Sequence, residues 1–157
     1  MHWQALLQKS CTQPAHLFAH FGLDPGDLYR VTEIYPMRIN PYYLRLIKQP
    51  GDPLWRQAVP DSLELEDTVC MKDPLNEEHL SPVTNLVHKY PDRALFLVHN
   101  QCAVYCRFCT RKRKVGTKEM PVSLKTISAG LKYLQQTPAI KDVLVSGGDP
   151  LLLDDSR

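Results

Sequence analysis

The sequence predicts an α/β fold: a helical N-terminal region followed by a parallel strand–helix–strand unit. Three observations carry that expectation. Ala94-Leu95-Phe96-Leu97-Val98 is an unbroken apolar run of strand length, the pattern of a strand buried on both faces. Leu124, Ile127, Leu131 and Leu134 recur at helical spacing behind Ser123, a favourable cap. Asp142-Val143-Leu144-Val145 repeats the strand pattern and runs into Ser146-Gly147-Gly148-Asp149-Pro150. Strand, helix and strand in that order imply parallel pairing with a right-handed crossover.

The chain has 157 residues, a size for one ordinary domain. With 43% apolar and 23% charged residues it has the composition of a globular protein and not of a disordered one. No stretch approaches the roughly 18 apolar residues of a membrane span. The start, MHWQALLQKSCTQPAH, has no A-x-A-type cleavage site and makes a poor signal peptide. A net charge of +2 does not demand a nucleic-acid partner.

Along the chain, Trp3, Leu6 and Leu7 form a first amphipathic turn or two. Pro14 opens a second short helix that Gly22 ends. Asn40-Pro41 reads as a cap followed by proline at the first helical position, with Tyr43, Leu44 and Ile47 on one face and Pro50-Gly51 as the stop. Residues 52–81 read as a long connection. Acids at 61, 64, 66, 67, 73, 77 and 78 stand there against the single Lys72, the pattern of a solvated face. The character changes at Tyr90-Pro91-Asp92, a turn into the sheet, so the expected regions are 1–89 and 90–157. Pro138 closes the helix that starts after Ser123. Asp154 or Asp155 looks like the cap of a helix that is not made, and the chain reads as the front of a longer protein.

The chemistry concentrates in Cys102-Ala-Val-Tyr-Cys106-Arg-Phe-Cys109, a C-x3-C-x2-C run. An odd number of cysteines, five, with three inside eight residues, is a poor disulfide framework. In a reducing cytoplasm such a cluster binds metal or does redox chemistry. Three thiolates can hold three irons of a [4Fe–4S] cube and leave the fourth open. The spacing also admits a zinc site completed by His99, or cysteines that merely pack. Gly147 and Gly148 end a strand where backbone can approach a ligand, and Asp149 can accept from an ammonium group; a plain strand-terminating turn reads equally well. Arg107, Arg111, Lys112, Arg113, Lys114 and Lys118 form a basic run with no acid between them up to 118. It suits a solvated loop, a nucleic-acid contact, or capture of a carboxylate by Arg111. Arg93 is available to a phosphate or an internal carboxylate. No Walker loop, G-x-S-x-G or H-E-x-x-H is present.

Taken together, C-x3-C-x-F-C after a buried strand, then a helix, then a strand ending in GGDP, resembles the radical S-adenosylmethionine (SAM) enzymes. More narrowly, the chain is similar to the lysine 2,3-aminomutase family. The stretches are INPYYLRLI, DPLWRQAVPD, DPLNEEHLSPV, VHKYPDRALFLV, CAVYCRFCTRKR and DVLVSGGDPLL, from about residue 36 to the end.

The resemblance implies the N-terminal part of a partial (β/α) radical SAM barrel, incomplete in this chain, after a helical region. It implies a [4Fe–4S] cluster on Cys102, Cys106 and Cys109, and SAM beside Gly147, Gly148, Asp149 and the aromatic Phe108. It implies pyridoxal 5′-phosphate (PLP) near Arg93, with its lysine outside this chain, and a substrate carboxylate on Arg111. The implied reaction moves an α-amino group to the β-carbon by way of a 5′-deoxyadenosyl radical, on a free amino acid. A lysine of translation elongation factor P is the alternative substrate that GGDP suggests, and C-T-R favours the free-lysine branch. A non-catalytic zinc module with an RNA-contacting loop is the alternative of another class. A one-electron reductant such as flavodoxin or ferredoxin is the implied partner, with no membrane, no nucleic acid, and room for a homo-oligomer. The isolated chain is expected to be inactive.

Overall fold

The structure, a computed structural model, describes residues 3–154. It divides into two compact units, one made of residues up to Cys70 with Ala103–Arg113, the other of Met71–Cys102 with the residues from Lys114 onward. The first unit takes in Ala103–Arg113 and the second begins at Met71, so neither is limited at 89/90.

The first unit holds α1 (Trp3–Gln8), α2 (Pro14–Phe21), α3 (Leu28–Ile34), α4 (Pro41–Leu46), α5 (Pro53–Ala58) and a 3-10 turn at Ser62–Leu65. Two starts share one device. The Asn40 side chain accepts the Tyr43 N–H at 2.9 Å and the Asp52 side chain accepts the Trp55 N–H at 2.7 Å, each with proline next in sequence. This satisfies an orphan donor while proline fills a position that needs none. The expected helices at residues 3, 14 and 41 are present. The expected connection at 52–81 instead begins with α5 and the 3-10 turn, and Asp52-Pro53 was the overlooked signal. The core gathers Leu17, Met37, Ile39, Ile47 and Val59. Trp55 meets Phe21 edge-on with ring centroids 5.2 Å apart, a favoured aromatic geometry.

The second unit holds β1 (Leu86–Tyr90), β2 (Arg93–His99), α6 (Leu124–Gln136), β3 (Asp142–Gly147) and a 3-10 turn at Pro150–Leu152. The sheet order is β1-β2-β3, with β1 antiparallel to β2 and β2 parallel to β3 in the register Ala94 to Val143 and Phe96 to Val145. The parallel pair joined by a helix is the unit the sequence predicted. The hairpin partner β1 was not expected, because its pattern is short and half polar. Ser123 caps α6, accepting the Thr126 N–H at 3.2 Å. The helix packs through Ile127, Gly130 and Leu134. At Gly130 an added Cβ would fall 2.5 Å from the Phe96 ring, so the missing side chain is what seats that ring.

Two expectations are corrected. β3 is not buried on both faces: Leu144 is 66% exposed, with Val143 and Val145 also exposed. It is the edge strand, and no strand lies beyond it among the described residues. The α6 face is also rotated from the leucine stripe, leaving Leu124 almost fully exposed and Leu131 half exposed. The described residues therefore form a mixed α/β chain with a three-stranded sheet, compatible with part of a larger domain. The last 3-10 turn is capped by Asp149, whose Oδ1 accepts the Leu151 N–H at 3.0 Å; of the two residues read as the cap of a further helix, Asp155 lies outside the described residues. No helix among them is long and apolar enough to cross a membrane.

Candidate functional site

The cysteine segment is built into the first unit residue by residue. Asn40 Nδ2 donates to the Ala103 carbonyl at 3.3 Å. Ile39 lies between Cys11 and Val104 in two antiparallel bridges. The Tyr105 N–H donates to Arg38 at 2.9 Å and the Arg107 N–H to Gln57 at 2.7 Å. Residues 103–107 are thus fastened to the first unit by backbone hydrogen bonds and one isolated bridge. Tight turns follow, the Cys109 N–H reaching the Cys106 carbonyl at 3.3 Å and the Lys112 N–H the Cys109 carbonyl at 3.2 Å. The Arg111 N–H points at Cys109 Sγ, 3.4 Å away.

None of the five cysteines is in a disulfide, and Cys102, Cys106 and Cys109 are all partly buried. Cys106 and Cys109 belong to the first unit and Cys102 ends a segment of the second. Among the described residues no group of three or more His, Cys, Asp or Glu side chains is arranged to hold a metal ion. By donor chemistry, three thiols within eight residues fit a thiolate-held iron–sulfur cluster. The other two differ in kind. Cys11 is in the core, where burial pushes its thiol up to about 11, only partly offset by a backbone hydrogen bond at Gln13. Cys70 is exposed, and a hydrogen bond to Asp67 holds its thiol above the usual value. Phe108 is 69% exposed and takes no part in the core.

The basic run is not an open patch. Arg107 forks onto Glu64, Nε to Oε1 at 2.9 Å and Nη2 to Oε2 at 2.8 Å, and Lys112 reaches the same Oε2 at 3.2 Å. In the second unit Lys114 pairs with Glu78 at 3.3 Å. The acidic stretch expected to be a solvated face is in part the counter-charge of this run. Burial pushes the Glu64 carboxyl up, but the hydrogen bond and charge of Arg107 outweigh it and leave Glu64 below its ordinary range. Sequence reasoning missed Glu64 as the counter-charge and, having read Asn40 as a cap, missed its bond to Ala103; the run of acids opposite in sign to the later bases was the available signal.

The glycine turn has a structural reason of its own. Gly147 is buried with φ of +132°, and a Cβ there would run into the His99 carbonyl. A Cβ on Gly148 would run into the Gln101 backbone. The Asp149 N–H donates to the Gln101 carbonyl at 2.7 Å. The chain's own backbone at residues 99–101 thus lies where each of those side chains would begin. Arg93 is exposed, paired with Asp92 at 3.1 Å and lying over the Tyr90 ring.

Fold and loop define a mixed α/β protein with a cysteine-rich segment between two parallel strands. No protein-family model matches the chain. It is 47% identical over 161 aligned positions to L-lysine 2,3-aminomutase of Acetoanaerobium sticklandii, covering 99% of this chain and 39% of that protein. L-lysine 2,3-aminomutase of Bacillus subtilis is 47% identical over 127 positions, 79% of this chain and 27% of that one. Glutamate 2,3-aminomutase of Clostridioides difficile is 40% identical over 119 positions, 74% of this chain and 28% of that one. The chain belongs to the lysine 2,3-aminomutase family, and it spans well under half the length of these relatives.

Proposed function

We propose that this chain is the cysteine-bearing part of a radical SAM, PLP-dependent amino-acid 2,3-aminomutase that moves the α-amino group of free lysine to its β-carbon. The observation that carries the reading is the C-x3-C-x2-C segment inside a chain 47% identical over nearly its whole length to an L-lysine 2,3-aminomutase. Cys102, Cys106 and Cys109 would hold a [4Fe–4S] cluster. Gly147, Gly148, Asp149 and Phe108 would serve SAM, Arg93 would serve PLP, and Arg111 would hold the substrate carboxylate. When bound, these groups supply one-electron reduction, hydrogen abstraction and a carrier for the migrating nitrogen.

The chain's own residues position and charge the site. The Arg111 N–H contacts the sulfur of Cys109, and its guanidinium offers a planar fork matched to a carboxylate. A relative named for glutamate is also 40% identical, so the part of the substrate addressed here is the common α-carboxylate and not the side chain. A flavodoxin- or ferredoxin-type reductant and a reducing, cytoplasmic compartment complete the reading.

The test is metal analysis of anaerobically purified and reconstituted chain. About four irons with matching sulfide per chain are expected, lost in Cys106→Ala and kept in Cys70→Ala. Zinc without sulfide, or full iron in Cys106→Ala, overturns the reading.

A further inference from the structure

We infer that Glu64 and Arg107 form a clamp that ties down residues 103–113, which makes both of them positioning residues for Cys106 and Cys109; the metal half of this rests on the function proposed above. Arg107 follows Cys106 directly and lies two residues before Cys109. Its guanidinium is occupied on every side. Nε and Nη2 take the two oxygens of Glu64, Nη1 donates to the Pro36 carbonyl at 2.9 Å, and Nη2 also reaches the Tyr35 carbonyl at 3.4 Å. The side chains of Arg107 and Glu64 are only 8% and 11% exposed. A charge pair withdrawn this far from water persists only when its hydrogen bonds are satisfied, and the two-pronged arginine–carboxylate pair satisfies them with a fixed geometry.

Glu64 works on both sides of Cys109. Lys112, three residues beyond, puts Nζ 3.2 Å from Oε2 and stands 4.4 Å over the Tyr35 ring. Glu64 is itself anchored, since its Oε1 accepts the Asp61 N–H at 3.1 Å in a capping box. One fixed carboxylate therefore ties down residues 107 and 112 on either side of Cys109, the first of them next to Cys106. A segment tied down before the ligand arrives leaves less of the chain to order at the moment of binding.

The experiment uses the 157-residue chain, its Glu64→Gln, Glu64→Asp and Arg107→Lys variants, and Glu78→Gln as a charge control. Hydrogen exchange is followed in the iron-free proteins, and iron per chain is counted after anaerobic reconstitution with iron and sulfide. Exchange across 103–113 is expected to rise about tenfold in Glu64→Gln and Arg107→Lys while β2 and β3 stay unchanged. Iron uptake is expected to fall by more than half in both, with Glu64→Asp intermediate and Glu78→Gln like the parent. Unchanged exchange across 103–113 overturns the clamp. A rise spread equally over both units makes the pair a general stabiliser and overturns its local role. Faster local exchange with full iron and an unaltered cluster spectrum overturns the positioning role. A parent chain that takes no iron overturns the cluster reading, while the exchange result still decides the clamp.

Discussion

The backbone N–H of Asp149 donates to the carbonyl of Gln101 at 2.7 Å, which ties the end of β3 to the residue immediately before Cys102. The GGDP turn and the start of the cysteine segment are therefore one structural object. Gly147 and Gly148 allow it, because a side chain on either would strike residues 99–101.

Gly148→Val is accordingly expected to disturb the Cys102 end of the segment and not merely to crowd a ligand. Iron uptake should fall together with thermal stability, by more than about 2 kcal/mol, since both clash and backbone displacement are involved. Asp149→Asn should be mild, because the amide keeps an oxygen for the Leu151 N–H. Normal melting and normal iron content in the valine variant would show that the turn has more room than the structure gives it.

Gly130→Ala sets two effects against each other. Alanine gains up to about 1 kcal/mol of helix propensity. Its Cβ would sit 2.5 Å from ring atoms of Phe96, which is 4% exposed and closely packed. Overpacking of this kind costs about 1–3 kcal/mol, so net destabilisation is expected in denaturant unfolding. A stabilised variant would mean the ring moves freely.

The Glu64–Arg107 pair predicts a defined acid response. A carboxyl whose folded pKa is depressed contributes stability that is complete above its unfolded value, about 4.3, and is lost as pH falls through the folded value. The stability difference between the parent and Glu64→Gln should be flat from pH 7 to 5 and shrink in stronger acid. Thermal melts across that range measure it. A difference as large at pH 3 as at pH 7 would show that the charge of Glu64 is not what matters.

Cysteine alkylation should separate the thiols. With its pKa pushed up to about 11, Cys11 is only about one part in a thousand thiolate at pH 8, and it is buried as well. Iodoacetamide at that pH should label exposed Cys70 at least a hundredfold faster, and the two should equalise in guanidinium. Mass spectrometry of the native chain reads this directly, and fast native labelling of Cys11 would contradict its place in the core.

Much of this protein is written locally. Asn40-Pro41, Ser123 and Pro14 announce helices through caps and proline, and the apolar runs at 94–98 and 142–145 announce β2 and β3. The spacing of Cys102, Cys106 and Cys109 is visible without any coordinates. Such signals act over a few residues, because a cap or a periodic face needs only its own turn of chain. β1 and α5 were harder to see because each is short and has a mixed pattern.

What the tertiary structure alone decided is which distant residues complete each local feature. Val104 pairs with Ile39, Arg107 with Glu64, Asp149 with Gln101, and Gly130 with Phe96. These partners lie tens of residues apart, and their matches depend on where the backbone brings them and not on any repeat along the chain. A charged stretch therefore read as solvated, because in sequence a buried partner and open solvent leave the same trace.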